Sequence, residues 1–439
     1  MGAAVLVGAA ALAGVAAAIG GRRAILLPFG GAIGLGLLAL ALTRFELFVA
    51  FVLFLRASLD IAKVSPTSVD VTGALSLLFI VGTAAWLIRE RRLGRPVPPS
   101  PTAPLIPPLA ALFGVALLSG LLSPHPLEST IETVRLGTVL VIVVALGRVL
   151  ADGRHRRLLY LAILASAVGP LLAAGFQVLT GEGAMVVAGV SRIRGTFQHP
   201  NPFAAYLGLV ITLAAATWAH VRGRLRLLVV LLAIACGGAL VLTYARGAWL
   251  GAILALVVVG ILQDRRVLWA LAAGALVVAL FVPSVTARLS DLSQEVRPSG
   301  APANSLVWRF QYWRQVLAIQ RDPILGVGLR GVQLDESVAQ LPHNDPIRVY
   351  VELGVLGAAA YLWLFATLAL RAREALRRAS PGLERGLAVA FAAALASIVL
   401  QSLAANILTQ LVIVWYFLAI AALGMAAGAG RRAVARAEG

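Results

Sequence analysis

The sequence predicts an all-α fold, a polytopic bundle of 12–14 transmembrane helices with a long extracytoplasmic loop that contains short helices. Three observations predict it. Of the 439 residues, 60% are apolar and 13% are charged, whereas soluble domains are roughly half apolar and a quarter charged. The apolar residues form runs long enough to cross a bilayer. The basic residues lie in short clusters between those runs, where the positive-inside rule places them.

The apolar runs locate the helices one by one. A helix needs about 17–25 apolar residues to cross roughly 30 Å of hydrocarbon. The run at 45–56 is short, which is why the predicted number is a range, and the first run predicts a retained helix because Arg22 and Arg23 follow it, whereas a signal peptide has its basic residues first. The fourteen runs are 3–20, 24–43, 45–56, 72–88, 105–122, 134–150, 156–179, 201–219, 225–243, 247–263, 267–283, 346–370, 384–405 and 409–428.

Arginine clusters predict the orientation of the chain. The helices are counted in both directions from the longest polar segment, with successive loops placed on alternate sides of the membrane. Most clusters then fall on one face, which we assign to the cytoplasm. The chain is predicted to form one membrane domain, with N-terminal transmembrane helices at 1–283, an extracytoplasmic loop at 284–345, and C-terminal transmembrane helices with a cytoplasmic tail at 346–439. The clusters are Arg89/Arg91/Arg92/Arg95, Arg154/Arg156/Arg157, Arg222/Arg224/Arg226, Arg265/Arg266, Arg371/Arg373/Arg377/Arg378 and Arg431/Arg432.

The net charge of +18 is therefore a topology signal. We expect membrane lipids as partners and no nucleic acid, because the arginines are spread over the loops. A single cysteine, Cys236, excludes an internal disulfide.

The long loop contains one predicted helix. Asn304 can cap it, and Leu306, Phe310, Trp313 and Leu317 form an apolar stripe. Such a helix lies along the membrane surface or covers a cavity; the alternative is an ordinary packed loop helix.

Polar residues that could bind a ligand or take part in catalysis occur in three stretches, 192–203, 243–249 and 342–348. Each stretch is at a helix start on the extracytoplasmic face. In the first and third, Asn201-Pro202 and Asp345-Pro346 predict an N-cap followed by proline at the first helical position. Helix N-termini expose unpaired N–H groups and partial positive charge, which suits phosphate.

Arginines add charge to these helix starts. Arg194, Arg246 and Arg348 are predicted to hold a diphosphate through bidentate, charge-assisted hydrogen bonds. The alternative is that each contacts lipid phosphate as a snorkelling side chain. Further substrate-binding candidates are Asn201, Asn344, Arg309 and Arg314.

Histidine supplies the predicted base. His343 lies in a polar turn before a helix and is predicted to accept a proton from a hydroxyl; the alternative is a surface histidine without a role. His199 is a second candidate, although Pro200 after it suggests a residue that shapes the turn. Glu352 is predicted first as a structural carboxylate. Neither a metal nor a cofactor is expected, because the loops contain no DxD or HExxH pattern.

The three stretches resemble the bacterial O-antigen ligase and O-antigen polymerase family. The blocks that carry the resemblance lie within about 190–360. They are Arg194-Gly-Thr-Phe with Asn201-Pro-Phe, Tyr244-Ala-Arg-Gly-Ala-Trp-Leu-Gly251, Arg309 through Trp313, Asp322-Pro-Ile-Leu-Gly-Val-Gly328, His343-Asn344 and Glu352-Leu-Gly-Val-Leu-Gly357.

The resemblance implies a GT-C-like fold and a metal-independent, inverting glycosyltransferase that uses an undecaprenyl diphosphate-linked glycan. Arg194 and Arg246 would hold the diphosphate, and His343 would deprotonate the acceptor. This chain departs from the family in having Asp345-Pro346 after His-Asn, where the family usually has an aromatic residue.

Several functions remain open at this point. A ligase would use lipid A core as acceptor, a polymerase would use a second carrier-linked glycan, and a protein-glycosylating relative is a third possibility. A lipid or polysaccharide transporter or flippase also fits a helix bundle, but transporters usually place ionisable groups at mid-membrane and contain repeated halves. A structural scaffold would leave the arginines and the histidine unexplained.

Overall fold

The computed structural model describes residues 21–62, 71–95, 98–187, 190–281, 305–338 and 340–437. The described chain is helical apart from one β-hairpin, and this confirms the all-α prediction. The first half contains α1 (Gly21–Thr43), α2 (Phe45–Arg56), α3 (Val71–Arg92), α4 (Ile106–Leu121), α5 (Pro126–Leu150), α6 (Arg156–Ala165), α7 (Val168–Thr180), β1 (Met185–Val187), β2 (Val190–Arg192) and α8 (Pro200–Thr217). The second half contains α9 (Gly223–Leu242), α10 (Arg246–Leu262), α11 (Arg266–Phe281), α12 (Ser305–Ala318), α13 (Gly331–Leu334), α14 (Asp345–Arg378), α15 (Leu383–Ser402) and α16 (Leu411–Ala437).

Nine helical segments in the described part are long and apolar enough to cross a membrane, and three further apolar helices are shorter. The chain is thus a multi-pass helical bundle. The predicted run at 45–56 is α2, with 12 residues. The run at 156–179 is two helices, α6 and α7, and the run at 3–20 lies outside the described residues.

Two helices form the centre of the bundle. The apolar windows of α8 and α16 are 83% and 94% buried, whereas that of α9 is 22% buried. α16 packs against α5, α14 and α15, and α8 packs against α9, α10 and α15. The ring of Tyr206 in α8 meets the ring of Tyr416 in α16 edge-on, with centroids 4.8 Å apart. The two central helices therefore contact mainly other helices, whereas the outer helices present apolar side chains to lipid.

The helix α14 is broken at Gly354, and the loop 322–328 fills the break. Gly354 has φ 64° and ψ −165°, so Val355 and Leu356 cannot donate to the carbonyls of Val351 and Glu352 four residues back. Those four groups bond to the loop instead. The pairs are Val355 N–H to Pro323 O (2.8 Å), Leu356 N–H to Ile324 O (3.4 Å), Val327 N–H to Val351 O (3.0 Å) and Gly328 N–H to Glu352 O (2.9 Å).

We expect Gly354→Ala to destabilise the protein by about 3 kcal/mol or more, because this backbone region is nearly glycine-only and the new Cβ has no space. A Cβ there would lie 2.1 Å from the carbonyl oxygen of Ile324. The thermal midpoint of unfolding in detergent measures the effect. The matched control is Gly237→Ala, which adds a Cβ in open space on a helix and should be neutral or slightly stabilising. Equal midpoints for the two variants would contradict this account of the break.

The loop helix α12 docks mainly through a face beside its predicted stripe. Tyr312 is 6% and Val316 is 0% exposed, and both pack against α13 and α14. Phe310 and Leu317 of the stripe are 60% and 42% exposed. The predicted cap, Asn304, lies outside the described residues. The helix is thus packed on one face and presents apolar side chains on the other, as a helix at a membrane surface would.

Candidate functional site

The N-cap of α8 is His199, so the prediction of Asn201 as the cap was wrong. The Nδ1 atom of His199 accepts the backbone N–H of Asn201 at 3.2 Å. Pro200 takes the first helical position, where a proline loses no hydrogen bond, and Pro202 also fits within the first turn. The cap therefore lies two residues before the predicted one, and both prolines are in the first turn of the helix.

The N-cap of α14 is Asn344, so the prediction of Asp345 as the cap was also wrong. Asn344 Oδ1 accepts the backbone N–H of Ile347 at 3.0 Å. The carboxylate of Asp345 instead accepts the N–H groups of Ile407 (2.9 Å) and Leu408 (3.2 Å). The carboxylate of Asp345 therefore binds the loop before α16, and the neighbouring Asn344 caps α14.

Arg194 lies in a turn that a buried glutamine holds. The Oε1 atom of Gln177 accepts the N–H groups of Arg194 and Gly195, each at 2.9 Å, and its Nε2 donates to Gly195 O at 2.8 Å. The guanidinium of Arg194 donates to the carbonyls of Gly183 (2.8 Å) and Gln198 (3.2 Å). The backbone and side chain of Arg194 are therefore fixed in place before any ligand binds.

Arg192, at the end of the hairpin, joins two of the predicted stretches. Its Nε donates to Thr243 O at 2.5 Å, and its terminal nitrogen donates to Asn201 Oδ1 at 2.8 Å. Arg192 is 5% exposed, whereas Asn201 is an exposed residue. Sequence reasoning assigned no role to Arg192 or Gln177, because neither the hairpin nor its contacts across the bundle have a sequence pattern. The one available signal was a polar glutamine in an apolar run.

Arg246 is the first residue of α10 and is half-buried. The preceding turn contains Tyr244 with φ 51°. A non-glycine residue with positive φ is uncommon and often marks a functional site. The turn brings the Arg246 side chain to the helix start, where the partial positive charge of the helix dipole adds to its own.

His343 has the same unusual backbone geometry, with φ 52°. The residue before it is held by α12, because Trp313 Nε1 donates to Pro342 O at 2.6 Å. Tyr312 holds the preceding turn through Gln340 O, also at 2.6 Å. The long-loop helix thus helps to set the position of the half-buried His343.

The three stretches lie close enough for their charged side chains to influence one another. Burial, and then the nearby charge of Arg309, lower the pKa of His343 below its usual value. Burial, Arg192, His343 and Arg194 lower the pKa of His199. Burial and Arg246 lower the pKa of the Arg309 guanidinium. Cations and imidazoles from β2 and its turn, α10, α12 and the His343 turn therefore form one group, which we call the cationic cluster.

The cationic cluster comprises six residues, and the charged neighbours that shift the pKa of His343, His199 and Arg309 are cations or imidazoles in every case. Cations grouped in this way attract a polyanion. The six residues are Arg192, Arg194, His199, Arg246, Arg309 and His343.

Arg348 lies apart from this cluster. Its Nε is 2.8 Å from the carboxylate of Glu352, and the two residues are 4% and 1% exposed. The guanidinium thus neutralises a buried carboxylate, as the structural assignment of Glu352 requires. Arg314 is exposed on α12. The described residues contain no group of three or more His, Cys, Asp or Glu side chains arranged to hold a metal ion.

Comparison with known proteins identifies one segment. Residues 231–362 match the O-antigen ligase family model, and no curated protein matches the chain. The matched segment contains Arg246, Arg309 and His343, whereas Arg194 and Asn201 precede it. The match confirms the family resemblance over that segment and supports a membrane function of the O-antigen ligase or polymerase type.

Proposed function

Because residues 231–362 match the O-antigen ligase family, we propose that the chain is a membrane glycosyltransferase of the bacterial inner membrane. It transfers a glycan from an undecaprenyl diphosphate carrier to an acceptor hydroxyl at the extracytoplasmic face. The acceptor we propose is lipid A core, which makes the chain an O-antigen ligase.

The observation that carries this proposal is the cationic cluster around His343. A lipid diphosphate is a good leaving group whose departure requires that its developing negative charge be met by fixed cations. Arg194 and Arg246 would contact the diphosphate, and Arg309 and Arg314 would contribute from α12. Asn201 and Asn344 lie at the two helix starts beside it. Preorganised guanidinium groups suit this task, since each can bind two phosphate oxygens.

His343 supplies the base. Its lowered pKa leaves the imidazole neutral at pH 7, so its free ring nitrogen can accept the acceptor's hydroxyl proton. The hydroxyl oxygen then bonds to the anomeric carbon as the carbon–oxygen bond to the diphosphate breaks. The electron pair leaves with the diphosphate, whose charge the arginines meet. A single displacement of this kind inverts the anomeric configuration and requires neither metal nor cofactor.

His199 is less suited to the role of base. Its Nδ1 accepts a backbone N–H, so the neutral ring carries its proton on Nε2. That nitrogen is a hydrogen-bond donor. His199 would therefore donate to the diphosphate, and His343 would accept the proton.

A transporter is the second candidate, because α14 has the broken helix and the buried ion pair that transporters often contain. Gly354 interrupts the helix, and Arg348 and Glu352 lie within the two turns before the break. Broken helices and buried charges often bind substrate in transporters. Here, however, the break is closed by loop hydrogen bonds, which leaves glycosyl transfer as the better supported function.

The proposal is tested in proteoliposomes supplied with undecaprenyl diphosphate oligosaccharide and EDTA, with either lipid A core or no added acceptor. A single-step product on the core supports a ligase. A ladder of longer carrier-linked glycans identifies a polymerase instead. Movement of carrier lipid across the vesicle without any glycan transfer would refute the enzyme and favour a transporter.

We expect Arg309→Gln to shift the acid limb of kcat/KM to higher pH, because that limb reports the base of the free enzyme. Arg309 lowers the pKa of His343, so removing its charge raises that pKa and activity is lost at a higher pH as the solution is acidified. The pH profile of transfer measures the shift. The matched control is Arg321→Gln, an exposed arginine paired with Asp335 at 3.9 Å, whose limb should not move. A limb that stays fixed in Arg309→Gln would argue against His343 as the base.

A further inference from the structure

We propose that the loop 403–410 between α15 and α16 positions His343, with Asn406 and Asp345 as the positioning residues. The inference rests on the proposed function and extends it to a segment outside residues 231–362, the part that matches the family model. Neither Asn406 nor its loop has a sequence motif that points to the site.

The geometry of His343 requires support. Its φ of 52° is in the left-handed region, which a non-glycine residue adopts only when the surrounding contacts over-determine it. On the N-terminal side, Trp313 fixes Pro342. The C-terminal side needs an equivalent restraint.

Asn406 supplies that restraint to the next residue. Its Oδ1 accepts the backbone N–H of Asn344 at 3.3 Å, and Asn344 Nδ2 donates to Leu403 O at 3.1 Å. Asn344 and Asn406 are each 6% exposed. Hydrogen bonds in such a buried place are costly to lose, because the groups left behind have no water to replace the partner.

Asp345 adds a second pair of contacts to the same loop. Its carboxylate, 1% exposed, accepts the N–H groups of Ile407 and Leu408. Those N–H groups begin the short helical turn Ile407–Thr409, which would otherwise leave them unpaired. The two residues after His343 are therefore attached to one loop through backbone and side chain together, and the direction of the imidazole follows from that attachment.

The test compares Asn406→Leu, which removes the acceptor, with Asn406→Asp, which keeps an acceptor oxygen. Gln410→Leu is the control in the same loop, since the Gln410 side chain bonds only to Thr409 among the described contacts. We expect Asn406→Leu to lower kcat at least about tenfold with little change in the KM for the carrier, because His343 is displaced while the arginines are not. Asn406→Asp should recover most of kcat.

A second measurement does not depend on transfer. In protein labelled with ¹⁵N-histidine, the His343 signal is assigned by its loss in His343→Asn and then titrated. We expect Asn406→Leu to move its midpoint upward toward about 6.5, as the ring gains water, and Gln410→Leu to leave it unchanged.

A titration that is the same in Asn406→Leu and in the wild-type protein would overturn this inference, and so would equal losses of kcat in Asn406→Leu and Asn406→Asp. Absence of transfer by the wild-type protein would refute the proposed function alone, because the titration still decides whether Asn406 positions His343.

Discussion

Replacing His343 with asparagine lowers kcat by about 10²–10⁴-fold, the usual contribution of a general base. Asparagine is the informative substitute, because it tolerates the left-handed backbone at this position better than most residues do and has no group that accepts a proton at neutral pH. The protein is therefore expected to stay folded and to bind the carrier with unchanged affinity. Single-turnover transfer in proteoliposomes measures the effect.

The matched control is His125→Asn. His125 is exposed and precedes α5 without making a side-chain cap hydrogen bond, so transfer and stability should both be retained. Full activity of His343→Asn in the reconstituted assay would remove His343 as the base, whatever the fate of the control.

Arg246→Gln is expected to lower kcat by about 10²–10³-fold, the effect of removing one donor that stabilises charge in a transition state. Arg246 begins α10 and interacts with Arg309, so its loss weakens the potential where the leaving diphosphate gains charge. Arg246→Lys should recover part of the rate, because lysine keeps the charge without the bidentate geometry.

Steady-state kinetics separates the two ways in which Arg246 could act. A higher KM with unchanged kcat would show that Arg246 binds the ground state and the transition state equally, and it would contradict a role in stabilising the leaving group. Arg265→Gln, which replaces an exposed arginine in the turn between α10 and α11, should match the wild-type protein in both constants.

Much of the fold could be predicted from the sequence, because a membrane imposes a length and an apolar composition on every helix that crosses it. Most of the predicted runs correspond to one helix or to a broken pair. The helix starts were less predictable. At His199 and at Asn344, several capping residues and prolines occur together, and tertiary contacts decide which residue caps the helix.

The candidate site was only partly predictable. Arg194, Arg246 and His343 have local motifs, but the hydrogen bonds by which Arg192 and Gln177 join the hairpin and its turn to neighbouring elements have none. The ion pair of Arg348 could have been predicted from the sequence, because Glu352 is four residues later on the same helix and side chains at that spacing lie next to each other. Its position near a helix start instead predicted that Arg348 binds a diphosphate.

The break at Gly354 has a consequence for how the chain is assembled. In hydrocarbon, an unpaired backbone group costs several kcal/mol. The break in α14 leaves two carbonyls and two N–H groups that bond to the loop 322–328, and the Ser119 hydroxyl also donates to one of them, the carbonyl of Glu352. The loop precedes α14 in the chain, so the complementary groups are synthesised before the helix that needs them. The segment 345–353 therefore becomes stable in the bilayer only after the loop has docked, and its insertion is a step of tertiary folding.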